Sequence, residues 1–137
     1  MRTSRLQIKD GVVIYPELSY ELVGIFYAVH NELGRYCNEK QYADLVEQKL
    51  KEHNLKYVRE MVLDKYFNSE RIGRHRIDFL VDDKIVVEIK CKRILDRNEY
   101  YQVRRYLTVL DKKLAILVNF RDKYLHPRRI LNSQATI

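Results

Sequence analysis

The chain has 137 residues, 46% of them hydrophobic, with few Gly and Pro, which fits one folded domain and excludes a disordered chain. No apolar run approaches the roughly 18 residues of a membrane span, and the N-terminal MRTSRLQIKDGVV has no apolar stretch of signal-peptide type. Lys plus Arg number 26 against 19 Asp plus Glu, a net charge of +7 that attracts polyanions, nucleic acid first among them.

Two cysteines, Cys37 and Cys91, are too few for a disulfide framework and show no zinc spacing. A reduced, cytoplasmic protein is therefore expected. The basic residues are spread along the chain, with denser runs at 90–93, 104–105, 111–113 and 126–129.

Leu18, Leu22, Ile25, Phe26, Val29 and Leu33 recur at helical spacing, with Ser19 as the expected N-cap and Gly34 as the stop. A second helix follows closely. Asn38 and Gln41 form its capping box, and Tyr42, Leu45, Val46 and Leu50 its buried stripe, with Asn54 near its end. Alternation from Tyr57 to Phe67 predicts a strand, bent or bulged, and NSERIG a turn. Two short strands follow, His75–Val81 and Ile85–Lys90. Asp96 and Glu99 box the start of a third helix whose stripe is Tyr100, Val103, Leu107 and Leu110. KLAILVNF reads as a buried strand, and PRRILN as a short edge strand or tail. Three meandering strands, a helical crossover and a buried strand give an α/β fold, an α+β mixed sheet of four strands with helices packed on it. Residues 1–137 form a single domain in this reading, with its core at about 18–120.

The chemistry concentrates in RIDFLVDDKIVVEIK. A three-residue hairpin loop, Asp82 to Lys84, pairs Val81 with Ile85, Leu80 with Val86, Phe79 with Val87 and Asp78 with Glu88. Ile77, Phe79, Val81, Ile85, Val87 and Ile89 then share one apolar face, and Asp78, Leu80, Val86, Glu88 and Lys90 the other. Opposed carboxylates repel across a sheet, and a hard divalent cation offsets that repulsion. Asp78 and Glu88 are thus candidate ligands of Mg²⁺ or Mn²⁺, with the Ile89 backbone carbonyl as a further one. Lys90 stands one pleat along, where it could hold a water whose proton the cation loosens. The bland reading of the same pattern is a solvated hairpin face.

Asp, about ten residues, then Glu-x-Lys resembles the PD-(D/E)XK nuclease superfamily, and within it the chain is similar to the small GxxExxY proteins. The matching stretches are VHNELG (29–34), EKQY (39–42), IDFLV (77–81), VEIK (87–90), QVRRYL (102–107) and AILVNF (115–120). The resemblance implies a restriction-endonuclease-like core and a Mg²⁺-dependent nuclease acting on DNA. It implies Asp78 and Glu88 as metal ligands and Lys90 as the helper of the nucleophile. Glu39 would touch metal or water, and Gln102 would stand behind the ligands or face a phosphate. Tyr36 occupies the position of the family's naming glycine, and Glu99 that of a frequent histidine. His30 and Tyr42 are accessory candidates, although a hydrogen-bonded helix histidine and a packing tyrosine are the plainer readings. A homodimer would serve to cut two strands. The alternative to a nuclease is a catalytically silent module of this fold that binds nucleic acid or a protein.

Overall fold

The computed structural model describes residues 8–9, 12–67 and 75–133. Strands β1 (Ile8–Lys9) and β2 (Val12–Val13) form a small antiparallel ribbon, where the sequence gives no clear pattern. Then come helices α1 (Pro16–Leu33) and α2 (Glu39–Glu52) and strands β3 (Tyr57–Val62), β4 (Arg76–Val81) and β5 (Ile85–Lys90). Helix α3 (Arg97–Leu110) crosses over to β6 (Leu114–Asn119), and β7 (Arg128–Leu131) ends the fold. The turn expected at 68–73 lies outside the described residues.

The main sheet has five strands in the order β3-β4-β5-β6-β7, not the four expected. The difference is β7, which pairs antiparallel with β6 along PRRILN. Among the described strands only β5 and β6 run parallel, as a helical crossover requires. The strand expected to reach Phe67 stops at Val62, and Asp64–Tyr66 forms a 3₁₀ turn.

Helix α1 starts three residues before its expected cap. Pro16 suits a first helical position, because its missing N–H has no intrahelical partner to lose. Ser19 is therefore buried inside the helix, where its hydroxyl donates to the Tyr15 carbonyl at 2.7 Å. Gly34 ends α1 at φ 75°, a conformation strained for any L side chain, and its N–H donates to His30 O at 2.8 Å. Both predicted capping boxes form, Asn38 with Gln41 on α2 and Asp96 with Glu99 on α3. Helix α2 ends at Glu52, two residues before Asn54.

The sheet divides two cores. Leu22, Phe26 and Val29 of α1 and Tyr42 and Val46 of α2 cover one face, meeting Phe79, Val81, Val87 and Ile89. Val103, Tyr106 and Leu107 of α3 cover the other, meeting Leu80, Val86 and Leu117. Tyr106 lies in this stripe, while Tyr100 is only half-buried. Each core residue is worth about 1.5–3 kcal/mol when fully buried, which is why both faces of the sheet are apolar.

One predicted face assignment fails. Ile77 lies in the α3 core and not beside Phe79. Its partner across the sheet is Met61, which packs into the same core, whereas Arg59 lies over the Phe79 ring on the other face. Between Arg59 and Met61 stands Glu60 at φ 55°. Alternation therefore breaks on both strands at the level of Asp78: Arg59 and Met61 on β3, and Phe79 and Ile77 on β4, face opposite sides of the sheet.

Candidate active site

The β4–β5 hairpin has the expected three-residue turn, with Val81 paired to Ile85, Leu80 to Val86 and Phe79 to Val87. Asp82 and Asp83 both adopt positive φ, 52° and 55°, which short aspartate side chains tolerate better than most. This register carries Asp78 and Glu88 to the open end of the hairpin. There the side chains take over from the ladder. The Asp78 N–H donates to Glu88 Oε2 at 3.0 Å, and the Ile89 N–H donates to Asp78 Oδ2 at 2.7 Å. The expectation that both carboxylates project side by side from one face is corrected here. They do meet, but each accepts from the backbone of the opposite strand. Two amide donors partly compensate two acids brought together.

Glu88 is only 5% exposed. Burial first, then the charge of Asp78 and a hydrogen bond with its carboxyl, push the Glu88 carboxyl well above the usual carboxylate range, while Lys90 pulls it back. Two acids in this relation favour sharing a proton unless a cation replaces it. Glu39 joins them from the first turn of α2. Burial raises its carboxyl, Lys90 lowers it, Asp78 raises it, and Lys92 and a hydrogen bond from the Cys91 amide lower it. Glu39 therefore stands within electrostatic reach of Asp78 and Lys90.

Two clefts open at this end of the sheet. One of about 520 Å³ is lined by Glu39, Arg59, Glu60, Arg76, Asp78 and Ile89. The other, about 370 Å³, is lined by Glu88, Lys90, Lys92, Glu99 and Gln102. Asp78 faces the α2 side and Glu88 the α3 side, so the acidic pair stands at the boundary between them.

Among the described residues, no group of three or more His, Cys, Asp or Glu is arranged to hold a metal ion. Mg²⁺ does not require one: it takes one or two carboxylates, keeps several waters and accepts phosphate oxygens. Hard anionic oxygens fit that ion, and a cation would offset both the burial and the Asp78 charge that raise the Glu88 carboxyl. Asp78 and Glu88 are the residues that would hold it.

One comparison with known proteins gives a match over most of the chain. The sequence model of the PD-(D/E)XK nuclease superfamily matches residues 16–130. The chain belongs to this superfamily. No curated protein and no solved structure matches it. As a PD-(D/E)XK protein it has an α+β, restriction-endonuclease-like fold, and the superfamily to which it belongs is one of nucleases.

The remaining candidates of this nuclease-superfamily chain divide. Gln102 lines the Glu88 cleft; its amide nitrogen donates to the Tyr106 hydroxyl at 2.5 Å and its oxygen accepts from Arg105 at 3.2 Å. His30 instead has its Nε2 2.8 Å from the Asp122 carbonyl and its ring beside Phe120. Tyr42 is fully buried, stacks on Phe120 at 4.4 Å and donates to Gly34 O at 2.5 Å. It also accepts from the Cys37 N–H, so it braces the loop that leads to Glu39. Both residues serve the scaffold and neither lines the two clefts. Cys91 packs partly against the α1/α2 core, and burial with nearby acid pushes its thiol up to about 12.

Sequence reasoning missed three supports. Lys92 pairs with Glu99, the residue standing where a histidine is frequent. Asn119 is buried and clasps Lys92, its Nδ2 donating to Lys92 O at 2.7 Å and its Oδ1 accepting from Lys92 N at 3.0 Å. A polar residue ending the apolar run AILVN was the available signal. Arg59 bridges Asp44 and Glu47 at 2.8 and 2.9 Å, which fixes a cation at the wall of the larger cleft.

Proposed function

We propose that the chain is a Mg²⁺-dependent nuclease, active also with Mn²⁺, that hydrolyses phosphodiester bonds in DNA. One observation carries this reading: two carboxylates are held in contact at a strand end, with Lys90 acting on Glu88 and both Lys90 and Asp78 acting on Glu39. Like charges buried together are a liability to a structural hairpin and an asset to a cation site.

Mg²⁺, when bound, supplies the charge that makes water a nucleophile near neutral pH and offsets charge building on the phosphate. Asp78 and Glu88 provide the oxygens for it. Lys90, half-buried beside Glu88, donates to water or to a phosphate oxygen and fixes its direction of approach. Glu39, braced by the Cys91 amide, is placed to accept a proton from the α2 side. Gln102 orients phosphate from the α3 side. The similarity to the GxxExxY proteins supports these roles, with Tyr36 as the departure at the naming glycine.

A second reading has its own observation. Asp78 and Glu88 each already accept a backbone N–H, so the hairpin end is satisfied without an ion. A nuclease fold that binds nucleic acid without cutting it would have this property.

Wild-type protein and Glu88→Ala, incubated with labelled single- and double-stranded DNA in Mg²⁺, Mn²⁺ or EDTA, separate the two. The nuclease reading expects cleavage by the wild type alone and only with metal. Equal retention of DNA by both proteins, with no product, sinks it in favour of the binding module.

A further inference from the structure

The sheet register extends the candidate site in one direction. Glu88 pairs with Leu117 of β6, and Leu117 pairs with Arg128 of β7. Residues paired across a sheet share a face, so this row places Arg128 on the α3 side with Glu88 and Leu117. Two strand spacings, about 10 Å, separate β5 from β7. Packing agrees with this facing. Ile130, two residues on, lies in the α3 core, while Arg129 between them reaches the opposite side and donates to Ile14 O at 3.0 Å.

Beside Arg128 lies a groove of about 730 Å³ between α3 and β7, lined by Tyr100, Tyr101, Arg104, Pro127, Arg128 and Ile130. Tyr101 is 54% exposed at its edge, and Arg104 and Arg128 are exposed. Neither arginine makes an ion pair among the described residues. Helix α3 holds one acid, Glu99, already buried and matched to Lys92. Across the sheet, by contrast, Asp44 and Glu47 neutralise Arg59. Arg104 and Arg128 thus leave unpaired positive charge on the side where Gln102 lines the Glu88 cleft.

We propose that this groove holds a single strand of polynucleotide running from the candidate site. Arg104 and Arg128 take its phosphates, and Tyr101 stacks on a base. Arginine matches phosphate geometry, and an exposed ring with an apolar floor suits a base face, which a duplex keeps hidden within its stack. The proposal rests on the nuclease reading for the direction of the strand, but not for its binding.

The test is fluorescence anisotropy of labelled oligo-dT, oligo-U and a hairpin duplex, in EDTA, at several salt concentrations. Wild type is compared with Arg104→Ala/Arg128→Ala and with Tyr101→Ala, their folding checked by circular dichroism. Should the double variant unfold, Arg104→Gln and Arg128→Gln are measured singly.

The expected result is that the double variant loses roughly tenfold in affinity for oligo-dT, oligo-U or both. Its salt slope should drop by about 1.4, two single-strand phosphate contacts. Tyr101→Ala should lose about tenfold with the slope unchanged. Oligo-dU, measured beside oligo-U, then identifies the sugar, since the two differ only in the 2′-hydroxyl. Unchanged affinity and slope, or binding to the duplex alone, overturns the groove. Groove-dependent binding without cleavage in Mg²⁺ overturns only the nuclease reading, and cleavage with indifferent groove variants only this one.

Discussion

Glu88 sits where burial and a neighbouring acid both oppose its charge. Replacing it by Gln keeps an oxygen for the Asp78 amide and removes the charge. Cleavage should then fall by more than about a hundredfold, since several kcal/mol of charge stabilisation depend on the cation it holds. Metal-free Glu88→Gln should melt no lower than the wild type at neutral pH, because its hydrogen bond survives and the repulsion does not. Gel assay and thermal melt together check this. Retained cleavage would remove Glu88 from the chemistry, and a much lower melting temperature would make it a purely structural residue. Asp78, Glu88 and Lys90 were legible in the sequence because the hairpin length and the apolar alternation agree on one register. The way each carboxylate turns onto the opposite strand was not legible, since spacing gives rungs and faces but not which acceptor an amide chooses.

At the scale of elements, capping chemistry was the most readable feature. Asn38 and Gln41, and Asp96 and Glu99, are local reciprocal bonds that depend on little beyond their own four residues. What depends on distant packing was read less well. Ser19 has the composition of a cap, but Pro16 sets the helix start. PRRILN is too short to declare itself, and it becomes a strand because β6 offers an edge. The largest surprise is Glu60, a left-handed residue that no glycine marks, at the level where Ile77 turns to the other core. It stands between the Arg59–Phe79 and Met61–Ile77 pairs and lines the same cleft as Asp78, so the conformational strain borders the candidate site. Glu60→Val should lower stability by about 1–2 kcal/mol, because a β-branched side chain is poorly accommodated at positive φ. Glu60→Gly should leave stability level or raise it. Urea denaturation measures both. Equal destabilisation by the two would mean that the glutamate side chain, not the backbone, matters there.

Across the whole molecule, carboxyl groups of opposite kinds act at opposite ends of the pH scale. Burial alone would raise Glu99, but the Lys92 ammonium and the Asp96 amide hold its carboxyl down to about 2. Hydrogen bonding from Tyr57 first, and then from Arg59, keeps Glu47 low as well. A carboxyl lowered by folding contributes stability above its unfolded value, near 4.5, and loses it as pH falls towards about 2. The net charge of +7 grows over the same range and adds repulsion. Glu88 and Glu39 are raised by folding, so their contribution is present below about 4.5 and is lost as pH rises through their folded values. Metal-free protein should accordingly melt highest under mildly acidic conditions and lower on both sides. Mg²⁺ binds the ionised pair and so should stabilise more at pH 8 than at pH 5, flattening the neutral limb and leaving the acid limb unchanged. In Asp78→Asn/Glu88→Gln both the neutral decline and the Mg²⁺ effect should shrink. Scanning calorimetry from pH 3 to pH 8, with Mg²⁺ and with EDTA, supplies the comparison. A Mg²⁺ increment that is equal at pH 5 and pH 8, or that survives in the double variant, would locate the cation away from the hairpin end and leave Asp78 and Glu88 as a proton-sharing structural pair.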